Sequence, residues 1–195
     1  MPPRDREVKG LERDRLYTVG HGTLETERFA RLLTSQEISH LVDVRSVPRS
    51  RHNPQFGRCA MEEWLPLYTI AYRWEPDLGG FRRASKESPN TGLRNPAFRG
   101  YADYMQASTF RTALDRLLAE ATRTRTVIMC SETVWWRCHR RLIADAATLL
   151  SDVDVVHLMH DGKAQPHVVT APARRENGFV VYPEAADGEP VSTAT

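Results

Sequence analysis

The chain is short of cysteine, nearly without lysine and free of long apolar runs, and each shortage narrows what it can be. Three cysteines in 195 residues, Cys59, Cys130 and Cys138, are too few and odd in number for a disulfide framework. The longest apolar runs, such as Thr126–Cys130 (TVIMC), fall far below the ~20 residues of a membrane span. The opening residues, MPPRDREVKGLERDR, are densely charged with no apolar centre, which speaks against a secretory signal. No G-x-G-x-x-G fingerprint for a nucleotide cofactor is present after the first strand, because Glu25 stands where its last glycine would be. These absences lead us to expect a reduced, cytoplasmic protein without a membrane segment.

What is there is ordinary in amount and uneven in position. Hydrophobic residues make up 41% and charged residues 27%, which excludes a disordered or collagen-like chain. The net charge is only +2, yet arginine supplies nearly all of the basic residues. Arg45, Arg49, Arg51 and Arg58 fall in one stretch that holds no acid, and Arg137, Arg140 and Arg141 form a second cluster. Concentrated guanidinium forks on a near-neutral chain point to an anionic ligand more than to bulk polyanion binding.

Hydrophobic periodicity alternates between strand and helix. Residues 16–19, 40–44, 70–74, 126–130 and 153–159 read as strands. A helix capped by Thr23 or Thr26 is expected to bury Phe29, Ala30, Leu32 and Leu33, and a short helix over 61–68 is limited by Pro66. Helices over 101–121 and 134–150 follow from their spacing, and 75–100 reads as a long irregular loop. Residues 1–15 and 183–195 read as tails around one domain over 16–182. Strands separated by helices predict a Rossmann-like α/β domain: a mostly parallel central sheet with helices on both faces. Ligands of such sheets bind beyond the carboxyl ends of the strands. His21, Asp43, Arg45, Cys130, Glu132, His157 and His160 fall at or just past those ends.

The densest chemistry lies in Cys130-Ser-Glu132-Thr-Val-Trp-Trp-Arg137-Cys138-His139-Arg140. A cysteine near a helix start and several arginines has a stabilised thiolate. Both cysteines also suit burial as small hydrophobes, since Cys138 is in register with Leu142 and Leu149. Cys130 to Arg137 is one residue too long for a Cys-x5-Arg phosphatase loop. Cys130, Cys138 and His139 offer three candidate ligands for zinc or iron, at a spacing that is not diagnostic. His21 lies between glycines in a turn. Asp43 and Arg45 share one side of a strand as an ion pair or an anion site, with Arg49 and Arg51 beyond them. Gly79-Gly80-Phe81 sits in the long loop, whose aromatics and arginines could close over a ligand.

The segments TVGHG, LVDVRSVPRSRHNPQF, LGGFRR, SPNTGLRNPAFRGYADYM, MCSETVWWRCHRRLIADA and PHVVT together resemble the bacterial domain-of-unknown-function 488 family, over residues 17–183. The resemblance implies that the family's two marked cysteines correspond to Cys130 and Cys138. Glu132, His139 and Arg140 fall in the same motif, His21 after the first strand, and Asp43 with Arg45 in the family's aspartate–arginine pair. Gly22 stands where a serine is usual, and Cys59 matches no motif residue. The family carries fold and motif positions but no settled reaction.

Three functions stay open at this stage. The first is a cysteine-dependent hydrolase or transferase acting on a phosphate-bearing, nucleotide or nucleic-acid related substrate. Cys130 or Cys138 would be its nucleophile, His139 or His21 its acid/base, Glu132 the orienting group, and Arg45, Arg49, Arg51 and Arg140 its anion holders. The second is a metal-dependent enzyme using Cys130, Cys138 and His139, with His21 or Asp43 nearby. The third is a binding module without chemistry whose arginine loops track nucleic acid. The oligomeric state is not readable from the sequence.

Overall fold

The structure is a computed structural model, and it describes residues 14–184. Of the tails expected over 1–15 and 183–195, residues 1–13 and 185–195 lie outside the described residues. The strands β1 (Arg15–Gly20), β2 (His40–Asp43), β3 (Ala71–Trp74), β4 (Thr126–Cys130) and β5 (Asp154–Leu158) pair in parallel. The strand β6 (Ala164–Pro166) adds antiparallel to β5, giving the order β3-β2-β4-β1-β5-β6. This is the mostly parallel, Rossmann-like α/β sheet that the alternating pattern predicts. Buried parallel strands read as continuous apolar runs because both faces are covered. All five residues of β4 are accordingly buried.

Alternation along the strands divides the core in two. Tyr17, Val19, Leu41, Val127 and Met129 face α1 (Thr26–Thr34) and α2 (Arg58–Trp64). Leu16, Val42, Ile128 and Cys130 face α3 (Pro96–Tyr104), α4 (Ser108–Ala121) and α5 (Arg140–Leu150). Helix α1 buries the four residues its spacing predicts, but Glu25 rather than a threonine precedes it and no side chain caps it.

Three expectations are corrected. The helix expected over 101–121 is two helices that part around Met105–Ala107. The step from Met105 to Phe110 is five residues, which breaks the three-to-four spacing of one helical face. The helix expected from Val134 begins only at Arg140: Trp135–Arg137 is a 3₁₀ turn, and Cys138 is extended at φ −122° and ψ 150°. Trp135 lies flat on His157 of β5 with ring centres 4.1 Å apart, which ties this turn to the sheet. Finally β1 starts at Arg15, within the residues expected as tail.

The topology places the site. After β2 the chain moves outward through α2 to β3, while after β4 it crosses β1 through α5 to reach β5. Neighbouring strands thus send their connections in opposite directions over opposite faces, and a crevice opens between their carboxyl ends.

The C-terminal part is clasped onto α5 by a buried polar chain. The hairpin of β7 (Arg174–Glu176) and β8 (Phe179–Val181) leads to Tyr182, whose hydroxyl donates to Asp145 Oδ2 at 2.9 Å. Asp145 Oδ1 accepts from Thr170 N at 2.8 Å and lies 2.9 Å from His167 Nε2. His167 Nδ1 is 3.0 Å from His157 Nε2, and His157 Nδ1 is 2.7 Å from Thr18 Oγ1. With Asp145 ionised and both histidines neutral, one proton order satisfies every link: Thr18 donates to His157, His157 to His167, and His167 to Asp145. Removing the carboxylate orphans three buried donors, each costing about 1–3 kcal/mol. Asp145→Ala is therefore expected to lower unfolding free energy by about 3–5 kcal/mol in urea denaturation; an unchanged midpoint would contradict the clasp.

Candidate active site

The sequence ends β2 with Asp43 and places Arg45 two residues on, so both side chains return to one side. Arg45 forms a two-pronged pair with Asp43, Nε to Oδ1 at 2.8 Å and Nη2 to Oδ2 at 2.5 Å, with both residues buried. The guanidinium also donates to the Phe56 carbonyl at 2.8 Å and, through Nη1 at 3.3 Å, to His21 Nε2. Tyr72 Oη donates to Asp43 at 2.9 Å, and Trp74 Nε1 donates to the Arg45 carbonyl at 2.8 Å. The pair fixes the path of the loop that follows β2, and little of it is left for a ligand.

His21 belongs to this scaffold. Its Nδ1 donates to the Gly22 carbonyl at 2.8 Å, and its ring stacks on Phe56 with centres 4.3 Å apart. Both nitrogens are used, and the ring is buried away from the cavity described next. Burial is the chief cause that lowers its pKa from 6.5 to about 4.

A cavity of about 450 Å³ opens in the crevice between β2 and β4. Cys130, at the end of β4, forms part of its floor with Cys138 and His139, and Arg45, Ser46 and Gly80 line it from the β2 side. Cys130 Sγ, Cys138 Sγ and a ring nitrogen of His139 lie within 4.8 Å of one another. His139 Nδ1 is 3.6 Å from Cys138 Sγ and 3.9 Å from Cys130 Sγ. Its Nε2 is 2.9 Å from the Val44 carbonyl, which only accepts, so the proton sits on Nε2 and the Nδ1 lone pair faces the two sulfurs. A Cβ on Gly80 would approach that ring to 3.2 Å, so the glycine lets the loop close on His139. Gly79 is buried behind it against Ser46.

The two thiols differ in electrostatics. Burial alone would raise the Cys138 pKa, but a hydrogen bond from Cys130 and the Arg140 guanidinium outweigh it and lower the value to about 6. Arg140 Nε is 3.5 Å from Cys138 Sγ. The Cys130 thiol is pushed up to about 12, first by its hydrogen bond to Cys138 and then by burial. The Arg140 guanidinium beside Cys138 thus favours negative charge on that sulfur over Cys130.

The remaining candidates divide into scaffold and wall. Arg140 is buried, and besides Cys138 it holds the Glu132 carbonyl, so it anchors the turn between the cysteines. Glu132 lines the cavity, but among the described residues its carboxylate meets no partner, and the Val44 carbonyl orients His139 in its place. Arg49 lines the cavity, whereas Arg51 lines a neighbouring groove. Arg137 was not singled out as a site residue, yet it lines the cavity with Phe81, Phe98 and Tyr101. Its position beside Cys138 was the available signal.

Comparison with family models closes the question of kinship. The model for the Domain of unknown function DUF488 matches residues 25–147. The chain belongs to the DUF488 family. The DUF488 match is narrower than the 17–183 over which the motifs resemble the family. It holds Asp43, Arg45, Cys130, Cys138 and His139, but neither His21 nor the His157–His167 clasp. Comparison with curated proteins and with solved structures gave no match.

Burial also lowers His157 to about 3 from the ordinary 6.5. Between each lowered value and 6.5 the unfolded DUF488 chain takes up protons that the folded chain refuses, so stability is full above that range and falls with acidification. Each histidine contributes up to about 1.4 kcal/mol per pH unit. Denaturation midpoints are expected to fall steadily as pH drops from 6.5 toward 4, and more shallowly in His157→Gln. A flat profile over that range would contradict this account of the buried histidines.

Proposed function

We propose that Cys130, Cys138 and His139 hold one transition-metal ion, with zinc the best match, and that the protein is a hydrolytic enzyme for an anionic substrate. The observation that carries this reading is the aim of His139, whose Nδ1 lone pair is directed at two sulfurs by the Val44 carbonyl. Metal-bound histidines commonly fix their second nitrogen on a carbonyl in this way. Tetrahedral bonds of about 2.0–2.1 Å to nitrogen and about 2.3 Å to sulfur put those two ligand atoms about 3.5–3.6 Å apart, near the 3.6 and 3.9 Å from His139 Nδ1 to the two sulfurs. Two thiolates and an imidazole form a soft donor set suited to zinc. Three protein ligands beside an open cavity match a catalytic site more than a closed structural one.

A zinc ion so held supplies an activated water near neutral pH and polarises an oxygen or carbonyl placed against it. The chain's own residues supply the rest. Glu132 faces the same cavity as a non-ligand carboxylate and serves as the proton acceptor. Arg49 and Arg137 are exposed, make no ion pair among the described residues and bind the anionic group of the substrate. Val47, Phe81 and Phe98 provide apolar walls for its uncharged part.

A second reading rests on the lowered pKa of Cys138. There the Cys138 thiolate attacks the substrate and displaces a leaving group, which takes its proton from the Cys130 thiol; water then cleaves the covalent intermediate, with His139 Nδ1 accepting its proton. One experiment separates the two. Native mass spectrometry of the purified chain is expected to show one metal ion per chain, removed by a strong chelator. Cys138→Ser and His139→Ala are expected to lose it while keeping wild-type circular dichroism. Alkylation of Cys130 and Cys138 should follow chelation only. A bare chain that rapidly alkylates at Cys138 alone would overturn the metal reading and favour the nucleophile.

A further inference from the structure

The cavity does not end at its arginines. A groove of about 880 Å³ adjoins it, and the two share Ser46, Val47 and Arg49 as a common wall. The groove continues past Arg51 to Arg58 and Trp74, and no acidic side chain among the described residues lines it. Arg58 is held by Glu62 at 2.8 Å on the helix surface, and its guanidinium lies 5.2 Å from the centre of the Trp74 ring. Arg49 and Arg51 have no ion-pair partner among the described residues. At the cavity mouth Phe81 is 94% exposed, and its backbone sits at φ +59°, a conformation that a bulky side chain adopts at a cost.

An apolar ring held out into water at the mouth of a cationic channel calls for a ligand with a flat face. A channel that presents Arg49 and then Arg51, each without an ion-pair partner among the described residues, suits a repeating anion. One chemical class offers both: an unpaired nucleotide chain, whose bases are free to stack and whose phosphates follow the arginines. Bases stacked within a duplex would not reach Phe81. We infer that the cavity and groove together form a track for single-stranded nucleic acid, with a base on Phe81, the reacting end toward Cys130, Cys138 and His139, and the backbone running over Arg49 and Arg51. This rests on the reading of the cavity as an anion site and names the class of its substrate.

The test is fluorescence anisotropy with a labelled single strand of about a dozen nucleotides, a length within known single-strand site sizes, titrated at several salt concentrations. Arg49→Ala/Arg51→Ala is expected to weaken binding at least about tenfold and to flatten the salt slope by about 1.4, two phosphate contacts' worth. Phe81→Ala should weaken binding without altering the slope. Cys138→Ser should lose its metal yet still bind the strand, which separates this inference from the metal reading. Equal affinity for inorganic phosphate, a mononucleotide and the strand would overturn the track and leave a single-anion pocket. Equal affinity for duplex would overturn the unpaired-strand assignment. Circular dichroism of each variant checks that it is folded.

Discussion

The buried pair of Asp43 and Arg45 is the constraint on which the rest of the site depends. It spends its hydrogen bonds on the Phe56 carbonyl, His21, Tyr72 and, through its backbone, Trp74. Those contacts bind the ends of β1, β2 and β3 to the loop that carries Arg49 and Arg51. Breaking such a pair typically costs 3–5 kcal/mol, because the surviving charge stays buried. That rigidity holds the Val44 carbonyl in place, and the Val44 carbonyl aims His139. An arginine that a sequence reading offers as an anion holder thus acts as the brace for those that remain free.

The site separates support from chemistry. His21, Asp43 and Arg140 are buried with their polar groups satisfied. Glu132, Arg49 and Arg137 stand in the cavity wall with no side-chain partner among the described residues, and Cys130, Cys138 and His139 converge at its floor. Groups that are spoken for hold the frame, and groups left unpaired face the open cavity. This division, more than any one residue type, gives the cavity the character of a site instead of a packing gap.

How much of this the sequence disclosed depends on how local each feature is. The five parallel strands were legible because residues such as HLVDV and TVIMC are apolar runs bounded by polar turns. The strands β6, β7 and β8 were not, since they are three residues each, too short for a period to read, and β6 and β7 are exposed throughout. Cys130, Cys138 and His139 could be picked out as candidates, but their spacing matches no metal motif. They converge because Cys138 is extended and the chain folds back past Val44, a contact 95 residues away in sequence. Asp145 looked like an ordinary polar residue in a helix, and only the return of His167 and Tyr182 makes it the centre of the clasp.

The most direct test of the central claim is X-ray absorption at the metal edge of the zinc-loaded protein. The account predicts two sulfur scatterers at about 2.3 Å and a shell of nitrogen and oxygen at about 2.0–2.1 Å that includes one imidazole. A first shell of oxygen and nitrogen without sulfur would contradict it, because Cys130 and Cys138 would then be free thiols and the centre would lie elsewhere.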